Sequence, residues 1–158
     1  MKLQVSLEEV ARYMRNGGRP LEGDLLRRVG RLADEAPIVP RSVWCAEGDL
    51  IYLAGTIGGE FDRWQRRLAV LSAVDALASQ AIGAAAVELV MDEVEAEAKA
   101  ALGGSWGARR SPGYGEMPLS ASREILGKLD ATRRIGVTCT ADYLLLPAKS
   151  VTAICRRT

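Results

Sequence analysis

From about Asp75 to Leu102 an apolar, helix-favouring pattern runs without a break, and residues 76 to 86 inside it are unusually small: Ala76, Ala78, Ala81, Gly83, Ala84, Ala85 and Ala86. Alanine raises helix propensity, and small side chains let a second backbone come close. A helix of this length carrying such a stripe is expected at the centre of the molecule, with the other elements arranged around it.

The flanking segments supply those elements. Ser6 followed by Glu9 forms a capping box, with Val10, Tyr13 and Met14 on one helical face and Gly17-Gly18 as the stop. Leu25, Leu26, Val29 and Leu32 recur at helical spacing until Pro37. Ile38-Val39, Ser42 to Cys45 and Leu50 to Leu53 are short β-favouring runs, broken by Glu47-Gly48-Asp49, and predict a hairpin. AGTIGGEFD then leads into a helix through Phe61, Trp64, Leu68 and Leu71. Beyond the long helix, Pro118 to Leu129 reads as helical, and Ile135 to Cys155 as two or three further strands around Pro147. Helices and strands mix without regular βαβ spacing, so the expectation is an α+β layered domain with an antiparallel sheet and several helices. With 158 residues, the whole of 1–158 reads as a single domain able to bury its core without disulfides.

Charge narrows the partners. Twenty-one basic residues balance 20 acidic ones, a net +1, and the arginine pairs are scattered among acids. No strong field exists to attract phosphate backbones or anionic lipid, so neither nucleic acid nor a membrane is an expected partner. The start, MKLQVSLEEV, lacks an apolar stretch behind a basic head, and no run of about 18 uncharged apolar residues occurs, which predicts a cytoplasmic protein. Cys45, Cys139 and Cys155 are odd in number and far apart, which suits buried thiols in a reducing compartment. The chain has no histidine, which removes triads and histidine-bearing zinc sites. Chemistry must therefore come from a bound cofactor, a partner, carboxylates, or the scattered cysteines and tyrosines.

Gly103 to Gly115 holds five glycines and a proline, the strongest loop in the chain. Within it stands Arg109-Arg110-Ser111-Pro112-Gly113-Tyr114-Gly115. Proline fixes one backbone angle and glycine allows positive ones, so the turn can turn its amide and carbonyl groups toward a ligand. An arginine before the turn can grip a carboxylate through two parallel hydrogen bonds, and a tyrosine after it can offer a flat face. A plain connection with the arginine in solvent fits the same composition.

The run RRSPGYGEMPL resembles the signature of the activation (reactivation) domain of cobalamin-dependent methionine synthase and its small stand-alone relatives, where arginine, two residues, proline, glycine and tyrosine follow in that order. LAGTIGGEFDRWQRRL, AIGAAAVELVMDEVEAE and IGVTCTADYLLLPAKSVTAI resemble further ordered segments of that family, so the likeness spans roughly residues 38 to 155. It implies an α+β domain with an antiparallel sheet that binds S-adenosylmethionine against a cobalamin carried by a partner, a methionine synthase or another corrinoid protein. It also implies a repair role: one electron from a flavodoxin-like donor and a methyl group from S-adenosylmethionine restore methylcobalamin from the oxidised corrinoid, and this chain orients the donor without a catalytic residue of its own. By position, Arg109 would hold the methionine carboxylate, the backbone at Ser111 would meet the adenine, and Pro112, Gly113 and Tyr114 would shape the pocket. The family's acidic residue six places before that arginine is here Gly103, and its aromatic after the Ser-Val run is here Cys155. Glu88, Asp92 and Glu95 share one helical face, so one of them, Glu88 foremost, could substitute in holding the ligand's ammonium group, while a plain solvated face fits the same spacing. Two other readings fit the residues: a corrinoid-protein binding or assembly partner that has lost the methyl donor, and a small methyltransferase with an unrelated substrate.

Overall fold

The computed structural model describes residues 3–15 and 19–158. The helix stop expected at Gly17-Gly18 lies outside them. Helix α1 spans Leu7–Met14, and Ser6 caps it: its Oγ accepts a hydrogen bond from Glu9 N at 3.5 Å. Val10 and Met14 are buried, whereas Tyr13 is exposed. Ser6→Ala is expected to cost about 0.5–1 kcal/mol, the low end for a lost cap because the bond is long. Chemical denaturation would read it as a lower midpoint at unchanged slope, and an unchanged midpoint would mean the cap is idle. Helix α2, Gly23–Glu35, buries Val29 and Leu32 and stops before Pro37.

Strands β1 (Arg41–Glu47) and β2 (Leu50–Thr56) form the expected hairpin, with Trp44 opposite Leu53, and β5 (Ser150–Arg156) pairs antiparallel on the other side of β2, with Leu53 opposite Ala153. Ile38-Val39, expected to be extended, stands outside the strands, held by Val39 N donating to the Ile57 carbonyl at 2.9 Å. β2 is therefore central and buried on both faces, which is why Leu50 to Ala54 reads as a continuous apolar run.

Helix α3 (Gly59–Leu71) meets the long helix α4 (Ala73–Leu102) at Ser72, whose Oγ accepts from Asp75 N at 3.2 Å. α4 is long and apolar enough, by length and composition alone, to cross a bilayer, but 56% of its most apolar window is buried inside the protein. One side of it faces the sheet: Met91, Val94 and Ala98 pack on Ile51, Leu53, Ala153 and Cys155. The other side takes α1, α2 and α3 through Val10, Val29, Phe61, Ala78, Ile82 and Ala86. Small residues set both distances. A β-carbon at Gly55 would lie 2.8 Å from Met91 Sδ, and one at Gly83 would lie 2.8 Å from Phe61 Cε1.

Helix α5 (Ala121–Leu129) and the short α6 (Ala131–Ile135) cover the opposite face of the sheet, where Ile125, Leu126, Leu129 and Ile135 meet Tyr52 and Ala54. The layers run α5–α6, sheet, α4, then α1–α3, an α+β architecture as expected. Four details correct the sequence reading. The helix expected from Pro118 starts at Ala121, after turns at 118–120; α6 was not expected, and it arises because Asp130 takes a left-handed conformation, φ +51°, that ends α5 and starts a new turn. β3 (Thr138–Cys139) and β4 (Leu145–Leu146) form a separate two-stranded ribbon instead of joining the main sheet. Only Cys155 is a buried thiol; Cys45, on edge strand β1, and Cys139, on the surface ribbon, are half-buried.

Candidate functional site

The site begins where α4 ends. Gly103 takes φ +66°, a conformation disfavoured for side-chain-bearing residues, while its N–H still donates to the Lys99 carbonyl at 2.9 Å. From there the chain turns back beside β5 as a ragged fourth strand, bridging Trp106 to Arg157 and Arg110 to Ile154. Arg110 and Ile154 exchange two backbone hydrogen bonds of 2.9 Å, and Gly107 N donates to the Arg156 carbonyl at 2.8 Å. Trp106 is pinned in place. Its Nε1 donates to the Gly103 carbonyl at 2.8 Å and the Arg157 guanidinium lies 4.2 Å from its ring centre, so that face is already covered.

Alternation along this strand turns Arg109 to the side opposite Arg110, onto the carboxylate face of α4. Its Nη2 donates to Glu88 Oε2 at 2.6 Å, and its Nη1 donates to Asp92 Oδ1 at 2.7 Å and to Glu95 Oε1 at 2.8 Å. One guanidinium thus faces three carboxylates, which α4 can present together because positions 88, 92 and 95 fall on one face. Lys99 completes the group, its Nζ donating to Glu95 Oε2 at 2.6 Å. The members differ in exposure: the Arg109 and Glu95 side chains are 18% and 17% exposed, against 45% for Glu88 and 65% for Asp92. Burial works against the charge on Arg109, but hydrogen bonds to Glu95, Asp92 and Glu88 outweigh it and raise its pKa further above the ordinary arginine value. Burial likewise opposes ionised Glu95, and Lys99 and Arg109 overcome it, holding that carboxyl below the usual range.

Past Arg109 the RRSPGYG turn closes on itself. Tyr114 N donates to the Ser111 carbonyl at 3.3 Å, Gly113 N to the Met117 carbonyl at 2.9 Å, and Met117 N to the Tyr114 carbonyl at 3.3 Å. Gly113 needs φ +90°, and a β-carbon there would press to 3.3 Å from Leu119 Cδ1. Pro112 is buried under the turn, and the Tyr114 ring projects outward, 76% exposed. Of the residues singled out from sequence, Arg109 and Glu88 touch, Ser111, Pro112 and Gly113 form the adjoining turn, and Tyr114 stands free beside it. Asp92 and Glu95, noted only as neighbours of Glu88 on the helix, prove to hold Arg109 as directly. Lys99 was missed; its four-residue spacing from Glu95 was the signal. Cys155 lies beneath this group in the α4–sheet interface, where burial pushes its thiol up. Among the described residues, no three cysteine, aspartate or glutamate side chains are placed together so as to hold a metal ion.

No protein-family model and no curated protein sequence matches the chain. Its structure does match solved ones: superposed on a crystal structure of the MetH reactivation domain bound to AdoHcy, it gives a TM-score of 0.64 at 14% sequence identity, over 83% of this chain and 65% of that one. The chain has the fold of a methionine synthase reactivation domain. It spans somewhat less than two thirds of the length of that domain. At such low identity the reactivation-domain fold is shared while few side chains are, so the roles of Arg109 and its neighbours rest on their own geometry.

Proposed function

We propose that the chain is a reactivation module that binds S-adenosylmethionine at Arg109 and presents its methyl group to a corrinoid held by a partner, a cobalamin-dependent methionine synthase or related methyltransferase. The observation that carries this reading is a guanidinium at the reactivation-domain loop with two exposed carboxylates, Glu88 and Asp92, on it. That donor set fits an α-amino acid head group, which offers a carboxylate for Arg109 and an ammonium for Glu88. Glu88 thereby supplies the acid that Gly103 does not. The Ser111 backbone and the exposed Tyr114 ring flank the place where the adenine would lie. The corrinoid, with an electron from a flavodoxin-like donor, supplies the redox and methyl-accepting chemistry; the side chains of this chain bind the donor and fix its orientation.

A second reading has an observation of its own. Both terminal nitrogens of Arg109 are held by its own carboxylates, as they would be in a scaffold that has lost the ligand and serves only as a corrinoid-protein partner. Calorimetric titration with S-adenosylmethionine separates the two. Binding, together with the return of methylcobalamin absorbance when the protein, S-adenosylmethionine and reduced flavodoxin are added to an oxidised methionine synthase lacking its own reactivation domain, is the expected result. No heat at millimolar ligand from folded protein would remove the first reading and leave the second.

A further inference from the structure

The Arg109 fork is held by the protein's own carboxylates. Both terminal nitrogens of the guanidinium are engaged, and Nη1 is engaged twice, by Asp92 and by Glu95. An incoming carboxylate that grips both terminal nitrogens end-on must displace a carboxylate already present, and the three competitors are not equal. Glu95 is mostly covered and tied down by Lys99. Glu88 is the sole partner on Nη2, so its departure would leave that nitrogen bare. Asp92 is the most exposed of the three, and its departure leaves Nη1 still bonded to Glu95. Its contact is the most screened by solvent and the easiest to give up.

We infer that Asp92 is a self-inhibitory latch on Arg109, opened when a zwitterionic amino acid head group exchanges partners with the cluster: the ligand carboxylate takes the place of Asp92, and the ligand ammonium takes Glu88. This inference rests on the binding reading above and adds what selects the ligand. Glu88, Asp92 and Glu95 against Arg109 and Lys99 leave one unmatched negative charge. A ligand bearing both charges exchanges ion pairs without changing that balance. A bare carboxylate would add a fourth negative group, and a neutral nucleoside offers nothing to exchange. The latch thus discriminates for the intact α-amino acid end of the ligand, independently of the nucleoside end.

Two acids that touch the same guanidinium should then respond with opposite signs, which a purely structural ion cluster would not produce. Asp92→Asn removes the competitor and is expected to tighten S-adenosylmethionine binding by about two- to five-fold, the worth of an exposed ion pair. Glu88→Gln removes the ammonium acceptor and is expected to weaken it by about ten-fold or more, the worth of a hydrogen bond to a charged group. The test is calorimetric titration of the wild-type chain and both variants with S-adenosylmethionine, S-adenosylhomocysteine and methylthioadenosine, with thermal unfolding of each variant to confirm folding. Opposite shifts for the two adenosyl amino acids, with methylthioadenosine bound no better by Asp92→Asn than by wild type, support the latch. Wild-type binding unchanged or weakened by Asp92→Asn overturns the latch and leaves the binding reading standing; no binding by any of the three proteins overturns both.

Discussion

Arg109→Ala is expected to abolish S-adenosylmethionine binding and to lower stability by about 1–3 kcal/mol, below the cost of breaking a fully buried pair because Glu88 and Asp92 remain hydrated. The loss comes from what is left behind. Glu88, Asp92 and Glu95 would face one another with Lys99 as their only partner in the cluster. The pH dependence identifies the cause. In the wild-type chain the folded state holds Glu95 below its ordinary pKa, so its contribution is fully present above the unfolded glutamate value and is lost as pH falls through the lower, folded one. In Arg109→Ala one of the two groups that offset the burial of Glu95 is gone, so its ionised form is less favoured and protonation relieves the damage. Thermal unfolding should show the widest gap between variant and wild type near neutral pH, narrowing toward about pH 4. A gap of constant size across that range would mean that Arg109 stabilises by packing its stem and not by charge. Arg109→Lys, which keeps one charge and loses the fork, should fall between the two in stability while binding ligand poorly.

Phe61→Ala should be the most damaging single truncation outside the site, at about 3–5 kcal/mol, a large part of the stability of an ordinary domain. The Phe61 ring is fully buried between α3 and α4, with its centre 5.2 Å from that of Trp64 and its edge against the bare backbone at Gly83. The reciprocal change, Gly83→Ala, gains about 1 kcal/mol in helix propensity yet thrusts a methyl group to 2.8 Å from both Phe61 Cε1 and Lys149 Cε, and overpacking of about 1–3 kcal/mol should win. Combining Gly83→Ala with Phe61→Leu should cost less than the sum of the two, because the smaller side chain makes room for the methyl. Strict additivity in denaturant unfolding would show that the ring and the glycine do not set the α3–α4 distance.

Much of this was legible before folding was considered. The small-residue stripe marked α4 as the central helix, and its role follows from two contacts with opposite neighbours, Gly55 against Met91 and Gly83 against Phe61. The β1–β2 hairpin, the Ser6 cap and the stop before Pro37 are local events governed by nearby residues, so periodicity and turn chemistry reveal them. The strands between Ile135 and Cys155 were expected, but the pairing of β3 with β4 as a separate ribbon and the short α6 were not, because two-residue strands carry no period and a left-handed Asp130 has no signature in the helical pattern around it.

The site divides in the same way. The composition of the 103–115 loop and the common face of Glu88, Asp92 and Glu95 were determined by sequence alone, since glycine content and helical spacing are properties of neighbours in the chain. That these carboxylates close on Arg109 was decided only by tertiary structure. The ragged strand must first pair with β5, and that pairing, made across more than forty residues of intervening chain, turns Arg109 onto α4 and Arg110 away from it. Side-chain direction in a strand alternates with register, and register between distant segments is set by the packing of the whole sheet.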